Sequence, residues 1–141
     1  MNSSAYKSKI AIQFCEELSK KFNHMNTNRY YGNNEYGKYD NILGYMKFDY
    51  VDTTLGVCVE FNGDYWHGNP QKYKSGDIIK FPNKTERIVD DLWKADVERY
   101  EYIENQLGFR LYVVWESDYR KEKDSLVNEL YEVIINENFE N

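Results

Sequence analysis

The sequence predicts an α/β fold, a small mixed β-sheet flanked by helices. Three observations carry this. Helical periodicity opens and closes the chain: Ile10, Phe14, Leu18 and Phe22 recur every four residues near the start, and Leu126, Leu130, Val133 and Ile134 share one side near the end. Two apolar strand patterns lie between them, joined by the turn "DTTLG". A third strand pattern, "FRLYVVWE", follows a long helical stretch that Gly108 stops. Helix, hairpin, helix, strand, helix is the order of helices layered on a sheet. A length of 141 residues suits a single domain, 1–141, with one core.

Taken in order, residues 4–22 read as a helix, with Ala11 and Cys15 beside its apolar stripe. Residues 23–41, rich in Asn, Tyr and Gly, read as a loop with a short edge strand. Residues 44–51 and 56–61 are the hairpin strands. Residues 62–83 form a long irregular connection holding both prolines, a kind of loop that is usually functional. Residues 84–107 read as one long helix, 109–116 as a buried strand and 122–139 as a closing helix. No repeat, low-complexity tract or linker interrupts this order.

Composition bounds the function. The chain is 41% hydrophobic and 30% charged, as in a soluble globular protein, and its 14 Tyr and 7 Phe supply buried surface that a mean hydropathy of −0.84 undervalues. No apolar run is long enough to cross a bilayer, and "MNSSAYKSKIAIQF" lacks the pattern of a signal peptide, so no membrane partner is expected. Two cysteines, Cys15 and Cys58, are too few for a disulfide scaffold, and an intracellular, cytoplasmic location with reduced thiols is expected. A net charge of −6 and a pI near 5.0 predict weak affinity for nucleic acid by this domain alone. A metal-dependent nuclease must nevertheless hold acids, so the sign does not exclude one.

The polar residues concentrate where a strand runs out, at "VEFNGDYWHGNP". Lys47, Asp49 and Val51 share one strand face, and Cys58, Glu60 and Asn62 share another. A turn centred on Thr54 and Leu55 puts Asp49 opposite Glu60, with β-carbons about 5 Å apart, and Lys47 opposite Asn62. Two carboxylates that close repel unless a cation or a shared proton relieves them. Magnesium is bound in this way, by one or two carboxylates with water completing its shell. The plainer reading is two solvent-facing acids. His67 could move a proton at neutral pH, although a lone histidine is usually incidental. Trp66 reads as core, with a stacking surface for a base as the functional alternative.

At about 100° per residue, Ile88, Leu92, Ile103 and Leu107 form one helical stripe, and Asp96 falls inside it beside Tyr100. An acid there is costly unless paired. Either it pairs with Arg99 one turn on, or the stripe faces the sheet and Asp96 reaches the hairpin acids. Glu17 borders the first helix's apolar face and could point to the same centre or lie at the surface. Glu35 cannot be placed by periodicity.

"FDYVDTTLGVCVEFNGDYWHGNP" with "WKADVERYEYIENQLGFRLYVVWESD" resembles the very-short-patch repair (Vsr) endonucleases and related phage homing-type endonucleases of the PD-(D/E)xK nuclease superfamily, over about half the chain. The resemblance implies a restriction-endonuclease-like (Vsr-like) core and a DNA endonuclease from a phage or its bacterial host. It matches Asp49 to the family's metal-binding aspartate, Trp66 and His67 to its tryptophan and histidine, and Asp96 to the polar residue opening "VER". Glu35 or Glu17 is then the candidate for the first Glu of the homing-type centre. The expected chemistry is Mg²⁺-dependent hydrolysis, with Mn²⁺ as a substitute. Asp49 and Glu60 hold the metal, with Asp96 or an early Glu (Glu35 or Glu17) completing its shell, His67 acts as acid or base, and Lys47, Asn62, Trp66 and Arg99 contact substrate. Asn62 stands where the repair enzymes have His and the wider pattern has Lys, and Lys47 would replace that missing cation. Cys15 and Cys58 lack zinc-ligand spacing, so no zinc is expected. DNA is the expected partner, and a homodimer or a DNA-binding partner subunit could supply affinity. The competing expectation is a non-catalytic nucleic-acid-binding domain that keeps the nuclease fold.

Overall fold

The strand Val57–Asn62 is buried at all six positions because helices cover both of its faces. The computed structural model describes residues 8–139. In order, these form α1 (Lys9–Lys21), β1 (Arg29–Tyr31), β2 (Gly37–Asp40), β3 (Gly44–Lys47), β4 (Tyr50–Asp52), β5 (Val57–Asn62), α2 (Asp64–His67), β6 (Ile78–Lys80), β7 (Glu86–Ile88) and α3 (Val89–Glu101). A π-helical turn, Tyr102–Gln106, then leads to β8 (Arg110–Trp115), α4 (Glu116–Lys121) and α5 (Lys123–Phe139).

The main sheet has the order β1-β4-β5-β8. Its first two pairings are antiparallel and β5–β8 is parallel, so the sheet is mixed and the fold α/β. A parallel pairing needs a long crossover, and α3 lies within it. Alternation along β5 sorts the two cores. Val57, Val59 and Phe61 meet α1, α4 and α5 through Phe14, Leu18, Tyr119, Val127 and Ile134. The rings of Phe14, Phe61 and Tyr119 lie 5.1–5.6 Å apart. Cys58 faces the other way, with Val51, Met46, Phe48 and Ile103. Among the described residues, no helix is long and apolar enough to cross a membrane.

The register of β4 on β5, Tyr50 opposite Val59 and Asp52 opposite Val57, is the predicted one. Continued by one residue, it sets Asp49 against Glu60. The predicted strand 44–51 is nevertheless two strands. β3 pairs with β2, and Phe48 and Asp49 carry the chain over to β4. The break has a local cause. The N–H of Phe61 donates to Asp49 Oδ2 at 2.8 Å and that of Asp49 to Glu60 Oε2 at 3.1 Å, so side chains replace the ladder's carbonyls there. Lys47 therefore faces Gly37 across the β2–β3 ladder, and the expected Lys47–Asn62 pairing does not form.

The predicted helix 84–107 also divides. Residues 86–88 pair with β6, Ile88 opposite Ile78, and the helix begins at Val89. Ile88 is exposed rather than part of a buried stripe. The connection 62–83, expected to be irregular, holds α2 and β6. β8 is half-buried at most positions rather than buried throughout. In the closing region Glu122 breaks α4 from α5, and Val127, not Val133, enters the core. Residues 4–7 of the predicted first helix lie outside the described residues.

Candidate functional site

Glu60 points from the middle of the sheet toward α3 and is 4% exposed. A carboxylate so placed is strongly destabilising without a counter-charge. Arg99 supplies it: Nε donates to Glu60 Oε1 at 2.5 Å, and Nη2 donates to the Lys47 carbonyl at 2.6 Å. The guanidinium carbon also lies 4.8 Å from the centre of the Phe48 ring. Burial opposes the charge on Arg99, but Glu60 and then Asp49 outweigh it and raise its pKa. The cation that two opposed carboxylates require is thus a side chain of the protein.

Asp49, half-buried, braces the same corner through its bond from Phe61, and its carbonyl accepts the Cys15 thiol at 3.5 Å. At the end of β5, the buried Asn62 donates Nδ2 to the Tyr100 hydroxyl at 2.6 Å. Burial, followed by the charge of Asp96, pushes Tyr100 up to about 12.

α2 brings in the imidazole. It is a single turn ended by Gly68 at φ 62°, a left-handed conformation that glycine adopts without a steric cost. A β-carbon at Gly68 would meet Val89 Cγ2 at 2.4 Å, so α2 sits directly on the start of α3. Trp93 Nε1 donates to the Gly68 carbonyl at 2.5 Å and fastens the contact. His67 Nδ1 consequently lies 3.0 and 3.1 Å from the two oxygens of Asp96. His67 is 35% exposed and Asp96 15%, so the pair faces a partly open surface. Asp64, at the other end of α2, is held by Asn69, Lys72 and Ser117, whose hydrogen bonds outweigh burial and lower its pKa.

The structure brings Asp49, Glu60 and Arg99 together on the α3 side of β5 and, separately, pairs His67 with Asp96 near Tyr100, which bonds Asn62 at the strand's end. The local ion pair between Asp96 and Arg99 is replaced by two long-range pairs, Asp96 with His67 and Arg99 with Glu60. Tyr100 joins them as the partner of Asn62; its place beside Asp96 on the helical stripe was the available signal. Trp66 is not core. It is 57% exposed and stacks on Phe81, ring centres 5.0 Å apart and planes within 2°. Glu17 does not join the centre: it belongs to α1 on the opposite face of the sheet, where the Tyr119 hydroxyl donates to it at 2.5 Å. Glu35 lies between β1 and β2, next to Tyr36, whose ring packs near Phe48.

Among the described residues, no group of three or more His, Cys, Asp or Glu side chains is arranged to hold a metal ion. Asp49 and Glu60 are hard oxygen donors of the kind magnesium takes in ones and twos. Glu60 would have to exchange Arg99 for the ion, since Arg99 holds Oε1. Cys58 is on this face, but burial raises its thiol pKa well above the ordinary value, so no thiolate is on offer. No protein-family model, no curated protein and no solved structure matches the chain.

Proposed function

We propose that this chain is a metal-dependent DNA endonuclease with a restriction-endonuclease-like core of the Vsr type. What supports the reading is that the opposed carboxylates Asp49 and Glu60 and the His67–Asp96 pair lie on the α3 side of the sheet, with Tyr100, bonded to Asn62 at the end of β5, within electrostatic reach of both Glu60 and Asp96. Ligands of α/β sheets bind outside such carboxyl ends. Asp49 and Glu60 would hold Mg²⁺ or Mn²⁺, which supplies Lewis acidity at the phosphate and lowers the pKa of bound water.

The chain's own residues supply the rest. Asp96 fixes His67 through Nδ1, which leaves Nε2 to take a proton from water or give one to the leaving oxygen. Arg99 keeps the charge at Glu60 low until an anion or cation arrives. The Asn62–Tyr100 bond holds the strand end against α3. Trp66 offers exposed ring surface to a base. At a net charge of −6, affinity for DNA calls for help from a second copy or a DNA-binding subunit.

A plasmid-nicking assay in Mg²⁺, Mn²⁺ and EDTA tests the proposal. Wild-type protein should nick only with metal, and Asp49→Asn should abolish nicking without unfolding. Unchanged cleavage by Asp49→Asn rules out this centre. The Glu60–Arg99 pair favours a second reading, a non-catalytic nucleic-acid-binding domain whose carboxylates are neutralised internally. DNA binding without nicking under any metal would select it.

A further inference from the structure

The positive charge of this acidic chain is unevenly placed. Residues 70–88 carry five basic side chains, Lys72, Lys74, Lys80, Lys84 and Arg87, against two acids, Asp77 and Glu86. The difference, five minus two, is +3 in a chain of net charge −6. All five basic residues are exposed. Lys80, Lys84 and Arg87 belong to the β6–β7 hairpin, whose turn places Lys84 at φ 68°.

The hairpin is anchored beside the candidate site. Ile79 is buried at its base, the Val89 N–H donates to the Asp77 carbonyl at 2.8 Å, and Phe81 stacks on Trp66, the neighbour of His67. Its outer face pairs Ile78 with Ile88 across the strands, 64% and 39% exposed. A two-stranded ribbon with cations along it and an apolar pair on its outer face has the width and charge that a DNA major groove accepts.

We propose that the β6–β7 hairpin is a docking arm for duplex DNA. Lys84 at the turn and Arg87, which is opposite Ile79 on the ribbon's other face, lie against phosphates, and the Ile78–Ile88 pair, next to the Lys80–Glu86 ion pair, faces the groove floor, where thymine methyl groups give apolar contact. The inference deepens the nuclease reading and rests on it for the role of the bound DNA, but it concerns binding alone.

The test measures binding of the full chain to a fluorescein-labelled duplex by anisotropy, in EDTA, over a salt series. Lys84→Gln with Arg87→Gln should make the slope of log affinity against log salt shallower by about 2, one for each phosphate contact. Lys20→Gln with Lys21→Gln, on α1, should leave it unchanged. Matching circular-dichroism melts establish that the variants are folded. The arm is refuted by an unaltered slope in the hairpin variant, by no duplex binding in wild type, or by tighter binding to phosphatidylserine vesicles than to duplex. The nicking assay on the same proteins separates the two readings. A hairpin-dependent slope without wild-type nicking keeps the arm and removes the nuclease. Nicking with an unaltered slope does the reverse.

Discussion

Arg99 on α3 reaches across the helix–sheet interface to Glu60, 39 positions earlier in the chain, and not to Asp96 three positions before it on its own helix. The choice follows from burial. Glu60 is almost sealed from water and has the greater need of a counter-charge, while Asp96 is near enough to the surface to be met by His67.

Removing Arg99 should therefore destabilise the fold severely. Arg99→Met leaves the buried Glu60 carboxylate uncompensated and is expected to cost about 3–5 kcal/mol. Adding Glu60→Gln should recover part of that loss, because the stranded charge is gone. Urea unfolding of the single and double variants measures both; equal stability of wild type and Arg99→Met would contradict the pairing.

His67 and Asp96 should act as a unit in cleavage. On the nuclease reading, His67→Ala lowers the nicking rate by about 10²–10⁴-fold, the usual range for a general acid or base. Asp96→Asn should lower it as well, with duplex affinity nearly unaltered, since Asp96 acts by orienting the imidazole. Single-turnover rates beside binding isotherms show whether the loss lies in chemistry. A variant pair with full rates would remove the histidine from the mechanism.

Gly68→Ala should disturb the site without touching a polar group. The new β-carbon would press on Val89 at a left-handed backbone position, and a loss of about 1–3 kcal/mol is expected. Because α2 would have to lift from α3, the His67 ring resonances in NMR should shift. Native stability with unshifted resonances would show that α2 is not clamped as described.

Alkali should weaken the protein through its tyrosines. Burial pushes Tyr100 and Tyr112 up to about 12, and raises Tyr50 and Tyr119 further. In the unfolded chain these phenols ionise near their ordinary value of about 10. The folded state prefers them protonated, so their contribution is complete below pH about 10 and is lost as pH rises toward 12. Melting temperatures should fall across that window, and less steeply in Tyr100→Phe. A flat profile above pH 10 would contradict the burial of these hydroxyls.

Much of this was legible beforehand where a short-range rule applied. The hairpin register came from the placement of Thr54 and Leu55 between two period-2 patterns, and it set Asp49 against Glu60. Asp96 stood out because a carboxylate interrupts an apolar stripe. The errors fell where periodicity is ambiguous or a side chain outbids the backbone. "TERI" fits a helix start as well as the strand it forms, and Asp49 and Glu60 end a ladder that their residue pattern would have continued.

The sequence by itself determined the α/β class, the face that collects the acids and the presence of an imidazole just past the strand, since these depend on spacing along one element. Only the tertiary structure decided who pairs with whom: Arg99 with Glu60, Asp96 with His67, Asn62 with Tyr100, and Glu17 with Tyr119 on the far face. Such partners lie 29 to 102 residues apart. Their selection depends on which charges lose water when the helices close on the sheet, a quantity that exists only in the folded chain.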